Sequence, residues 1–176
     1  MRLLPNFVEA GIDSIKIEGR MKSTLYAATT VSVYSRGLRF LVSEKPGAWE
    51  HTFNELAHEL EKIPHRDYTE ASLENAAEEQ SIFYGNRDRK SQSGYEMAGR
   101  VLEVSGDKHF ILEVQNPFQS GHKLEVLEFS GSPVGVPVKK IKNLSGEELH
   151  QALPNRLVLL PFQQGIEAMN VVRRKM

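Results

Sequence analysis

The run Lys16-Ile17-Glu18-Gly19-Arg20-Met21-Lys22-Ser23 gathers three basic side chains and a carboxylate around a glycine turn. Arg20 offers a planar fork for a carboxylate or phosphate, and Lys22 a point charge. Glu18 is placed to hold Arg20 or to act as an acid–base group. Ser23 is of the type that caps a helix, so the amides of the helix behind it would face the same point. The simpler reading of the same residues is a solvated turn with a local ion pair. Other reactive arrangements are missing. His58-Glu59 is followed by a histidine only at His65, whereas a zinc-protease helix needs two histidines four apart. No serine stands in a Gly-x-Ser-x-Gly setting, and neither Gly11 nor Gly19 belongs to a phosphate-loop pair.

Composition narrows the classes further. The chain has 176 residues, 22 Lys plus Arg, 23 Asp plus Glu, a formal charge of -1 and no cysteine. A thiol nucleophile, a disulfide scaffold and a cysteine-bound cluster are therefore excluded for these residues. No apolar run approaches the ~20 residues of a membrane span, and Pro5, Asn6 and Glu9 interrupt what a signal peptide would keep apolar. The expectation is a cytoplasmic chain with no membrane partner. Charge is uneven: residues 51–84 carry two basic and eight acidic groups, residues 85–100 four basic and two acidic.

Elements must position the reactive run, and the periodicity changes along the chain. Leu3, Leu4, Phe7, Val8 and Ala10 form a helical stripe ending at Gly11. Residues 12–18 alternate and are rich in isoleucine, which predicts a strand. Leu25, Ala28, Val31, Tyr34, Leu38 and Leu41 predict a helix over 24–42. Phe53, Leu56, Ala57, Leu60 and Ile63 predict another over 52–63, stopped by Pro64. A strand between helices should pair in parallel with strands reached by crossovers, and this chain supplies no second such unit. Residues 12–18 thus read as the last rung of a larger sheet, with pairing against the C-terminal half as the alternative.

From residue 93 the period becomes 2. Strands are predicted at 95–104, 109–115, 123–129, 134–141, 156–162 and 168–172, with turns at Gly106, Gly121, Gly131 and Gly146. Short strands at about 10-residue spacing without a crossover helix suggest a small closed β-barrel that folds alone. The expected class is α+β: residues 1–64 a helical part with the last strand of a larger parallel sheet, 65–92 a polar linker that is weakly helical over 72–83, and 93–176 the β-barrel.

Gly11-Ile12-Asp13-Ser14-Ile15-Lys16-Ile17-Glu18-Gly19-Arg20-Met21-Lys22-Ser23, followed by Tyr26-Ala27-Ala28 and Tyr34, resembles the last strand and helix of the barrel domain in the peptidase U32 (collagenase-like) family. Collinear matches follow at His65-Arg66-Asp67-Tyr68-Thr69, Glu79-Gln80, Tyr84-Gly85, Gly99-Arg100-Val101-Leu102-Glu103, Gln115-Asn116-Pro117-Phe118 and Gly121–Val126, then Met169 with Arg173-Arg174. The chain departs from the family at Thr69-Glu70-Ala71-Ser72 and at His122. The resemblance implies a (β/α) barrel followed by a small β-barrel, with cysteine-bearing segments upstream, so that any cluster or metal of the parent lies outside these residues. The acidic Glu78-Glu79-Gln80 segment is similar to the bacterial branch that hydroxylates uridine at the tRNA wobble position.

On that resemblance, Glu18, Arg20 and Lys22 are candidates for the active-site face. Arg87, Arg89, Lys90, Lys139, Lys140, Arg173 and Arg174 are candidates for RNA phosphate contacts. The implied partners are tRNA and the parent's missing N-terminal barrel domain, with a second copy as an alternative partner for the exposed N-terminal segment. The competing readings are a substrate-positioning domain of a collagenase-like peptidase and a non-catalytic interaction module.

Overall fold

The computed structural model describes residues 1–43, 48–65, 68, 73, 76, 94–106 and 108–176. The residues at 72–83 expected to be weakly helical, apart from 73 and 76, and the cations Arg87, Arg89 and Lys90 lie outside them. Contacts divide the chain into two compact units, one of residues 1–18 with 33–93, the other of 19–32 with 94–176.

In the first unit, α1 (Leu4–Glu9) starts with Pro5 in its opening turn, where a missing N–H costs nothing. It ends as its sequence demands. Gly11 takes a φ of +70°, donating to Val8 O at 3.1 Å while Ile12 donates to Phe7 O at 3.1 Å. The long helix α2 (Thr24–Ser43) runs on into this unit, and α3 (Trp49–Leu60) follows. Leu4, Val33, Leu56, Leu60 and Ile63 are buried. Gly37 allows the close approach: a Cβ there would stand 2.9 Å from Leu4 Cδ2 and 3.4 Å from Leu56 Cδ1. α3 begins three residues before the apolar spacing predicts, because Trp49 lies 6.2 Å from the Phe40 ring and 6.4 Å from the Phe53 ring. That aromatic contact is tertiary, and no local period announces it.

The predicted strand at 12–18 forms no ladder in the structure, and no strand of the chain pairs with it among the described residues. Ile12 is 54% and Ile17 36% exposed. A strand needs a neighbour for its N–H and C=O groups, and composition alone cannot supply one.

The second unit carries ten short strands: β1 (Tyr95–Ser105), β2 (His109–Val114), β3 (Phe118–Gln119), β4 (Lys123–Leu127), β5 (Val134–Pro137), β6 (Ile141–Lys142), β7 (Glu148–Leu149), β8 (Gln151–Ala152), β9 (Leu157–Pro161) and β10 (Val171–Lys175). Eight form one antiparallel sheet in the order β5-β4-β10-β1-β2-β9-β6-β7, and β3 pairs with β8. The sheet curls over a core that includes Val101, Phe110, Leu112, Leu124, Val126, Val158, Leu160 and Val172, all essentially solvent-free. β2 shows why: its inward residues Phe110, Leu112 and Val114 alternate with partly exposed ones, the period of a half-buried strand.

The ladder stops at β5 and β7, so the sheet is an open half-barrel and not the closed barrel that strand spacing predicts. β5 ends at Pro137, but backbone bonds continue one residue on, from Val138 N–H to His122 O at 2.8 Å and from Gly121 N–H to Val138 O at 2.8 Å, before Lys139 folds back onto Pro137 O at 3.0 Å. The predicted single strand 134–141 is therefore split into β5 and β6. β1 is bulged between Met97 and Gly99 and again between Val101 and Glu103, bending it enough to serve both β10 and β2. At Gly99 a Cβ would fall 2.2 Å from Glu113 O, so only glycine permits this approach.

Candidate functional site

The reactive run sits on a turn followed by a capped helix. Lys22 N–H donates to Gly19 O at 2.9 Å, closing the turn. Ser23 Oγ accepts the Tyr26 N–H at 3.2 Å, satisfying a helix-terminal donor as its residue type predicts. Lys22 Nζ lies 5.1 Å from the centre of the Tyr26 ring. The same ring bounds Gly19, where a Cβ would be 3.6 Å away. Tyr26 thus becomes part of this turn, and its position three residues past the Ser23 cap is the signal that could have found it.

Arg20 and Lys22 are exposed. Glu18 lies 3.7 Å from Lys16 Nζ with both side chains mostly in solvent, a pair worth little to stability. The arrangement can attract an anion to a helix N-terminus through exposed cations. Glu18 adds a carboxylate to the same run of sequence.

The cations proposed for RNA separate into two kinds. Arg173 has no solvent exposure at all. Its Nε and Nη2 both donate to Glu125 Oε2, at 2.9 and 2.7 Å, and its guanidinium centre is 5.1 Å from the Tyr95 ring. Register explains the set: Arg173 stands opposite Met97 on one side and Glu125 on the other, which leaves Tyr95 on the diagonal. Arg174 is opposite Glu96 and makes an ion pair with it at 2.5 Å, both side chains only a fifth to a quarter exposed. These two arginines staple β10 to its neighbours, and Arg173 is out of reach of a phosphate in solvent. Lys139 and Lys140 are exposed. Lys140 Nζ is 3.3 Å from Glu148, but that pair is itself well solvated.

The histidines do not converge. His51 lies 3.4 Å from Glu55 and His65 3.0 Å from Glu61, each an i,i+4 pairing. Among the described residues no three His, Asp or Glu side chains are grouped as a metal would need. With no cysteine in the chain, these residues do not fit an iron–sulfur cluster. Among them, no helix is long and apolar enough to cross a membrane.

Comparison with known proteins places this geometry. Residues 1–82 match the model of peptidase family U32, and residues 93–173 match that of the peptidase family U32 C-terminal domain. The chain is 30% identical over 173 residues to tRNA hydroxylation protein P1 of Bacillus subtilis, covering 97% of this chain and 40% of that one. It is also 30% identical over 164 residues to tRNA hydroxylation protein P of Escherichia coli, covering 89% and 33%. It thus spans about two-fifths or less of the length of these relatives. A crystal structure of the C-terminal domain of a Geobacillus thermoleovorans U32 peptidase aligns with a TM-score of 0.42 at 24% identity, over 46% of this chain and 92% of that one. With matches to both models in chain order, covering all but a short junction and the last residues, the chain belongs to peptidase family U32.

Proposed function

We propose that the chain supplies the C-terminal part of a protein that takes part in hydroxylating tRNA uridine. In this reading residues 12–43 are the closing strand and helix of a (β/α) barrel, residues 65–92 link the two parts, and the half-barrel helps to hold the RNA. The observation that carries the reading is collinear similarity to tRNA hydroxylation protein P1 across 97% of the chain. Two structural features support the finer placement. The isoleucine-rich stretch is mostly exposed and has no ladder partner among the described residues, as a barrel rung without its neighbours would. Its carboxyl end leads straight into the Gly19–Lys22 turn and the Ser23 cap, the end of a parallel strand where ligands bind. Glu18, Arg20 and Lys22 would then face the reacting nucleotide.

The test is complementation of a bacterial strain lacking wobble hydroxyuridine. The full-length parent protein should restore the modified nucleoside, measured by mass spectrometry of digested tRNA. Loss of residues 12–43 should abolish it, and R20A should lower it at least tenfold. Restoration by a parent lacking this entire chain would remove the proposal.

A further inference from the structure

We infer that the RNA-contacting face of the half-barrel is the end where the β3, β5–β6 and β7–β8 loops meet, built from Gln119, Ser120, His122, Lys139, Lys140 and His150. The inference rests on the tRNA reading above and assigns to it a surface. Three backbone ties bring these segments together although they are far apart in sequence. Gly121 N–H donates to Val138 O at 2.8 Å, and Val138 N–H to His122 O at 2.8 Å. Ser120 Oγ donates to Lys139 O at 2.8 Å, and Ser120 N–H to His150 O at 3.5 Å. β3 and β8 pair Gln119 with Gln151, which fixes the third segment.

All six residues are exposed except His122, which is half-buried. The face therefore offers ammonium groups, a side-chain amide and two imidazole rings, a mixture that contacts phosphate, sugar and unstacked bases. The carboxylate beside it is Glu148, whose 3.3 Å pair with Lys140 has both partners more than half exposed. Such a pair holds its members weakly, so Lys140 can turn to a phosphate at little cost. Glu147 is taken up in the β6–β7 turn, where Asn143 Nδ2 donates to its carboxylate at 2.6 Å. Of the cation candidates among the described residues, Arg173 and Arg174 are engaged inside the sheet, while Lys139 and Lys140 stand side by side in solvent at this loop end.

The check is fluorescence anisotropy of the full-length protein with labelled tRNA across a salt series, with polyglutamate as the competing polyanion. K139E/K140E should weaken tRNA binding about tenfold or more and reduce the slope of log affinity against log salt by about 2. K139Q/K140Q should move both in the same direction by less, and K108E, an equal charge change on the β1–β2 turn, should move neither. Unchanged melting of the variants separates a surface effect from misfolding. Wild-type affinity and slope in K139E/K140E would overturn the assignment, as would polyglutamate binding as tightly as tRNA. If complementation still succeeds in that case, the tRNA reading stands and only this face falls. No tRNA binding by the unmutated protein together with failed complementation removes both.

Discussion

Arg173 illustrates how a side chain changes meaning when its surroundings are known. In sequence it is one of a pair of arginines beside a lysine near the chain end, the composition of a phosphate-binding tail. In the sheet it is sealed from solvent, with two N–H groups on one Glu125 oxygen and a tyrosine ring against its plane. Removing one partner of a buried ion pair leaves the other charged and desolvated, which costs about 3–5 kcal/mol. R173A should therefore lower the Tm of this domain by about 12 °C or more. R173M combined with E125L should recover most of the loss, since an apolar replacement of both partners leaves no charge stranded. Urea unfolding measures both. A cost below about 1 kcal/mol for R173A would mean that the staple contributes little. At Ser23, by contrast, residue type and spacing were enough, because an N-cap is decided within four residues.

At the scale of elements, helices were more legible than strands. The end of α1 at Gly11 and the start of α2 after Ser23 follow from local rules, and the structure places both where residue types put them. Strands depend on what lies beside them. β10 was read over 168–172 but runs Val171–Lys175, since three consecutive basic residues look like a tail until Glu96 and Glu125 are found across the ladder. Met169, at a φ of +73°, and Asn170, whose side-chain oxygen accepts the Glu167 N–H, form the turn that delays its start. Residues 12–18 show the converse, a strand pattern with no ladder. Among the described residues their amides have no hydrogen-bonded neighbour strand, so residues 13–18 should exchange with solvent within seconds while β1, β2 and β10 remain protected by orders of magnitude. Exchange of 13–18 as slow as that of β2 in the monomeric chain would show that they are already paired.

At the scale of the whole molecule, every residue of the large buried cluster lies between Ala98 and Val172. The first and last strands of that stretch, β1 and β10, are neighbours in the sheet, so its ends close on each other. A fragment of residues 93–176 should accordingly fold alone, with antiparallel β circular dichroism and a single cooperative urea transition. A fragment without cooperative unfolding would show that its core depends on residues outside that span. Folding should be slow for its size, because the β1–β10 pairing cannot form until a long loop closes.

What the residues determined by themselves was local or compositional. That covers the absence of thiol chemistry, the caps, the switch from a helical period to an alternating one near residue 93, and the collinear family motifs. Only the tertiary structure decided which cations are buried and which face solvent, and that the sheet stays open between β5 and β7 instead of closing. It also decided that residues 12–18 form no ladder among the described residues. The physical reason is range: a cap or a turn is satisfied by atoms a few residues away, whereas the burial of a charge and the pairing of a strand depend on groups dozens of residues distant.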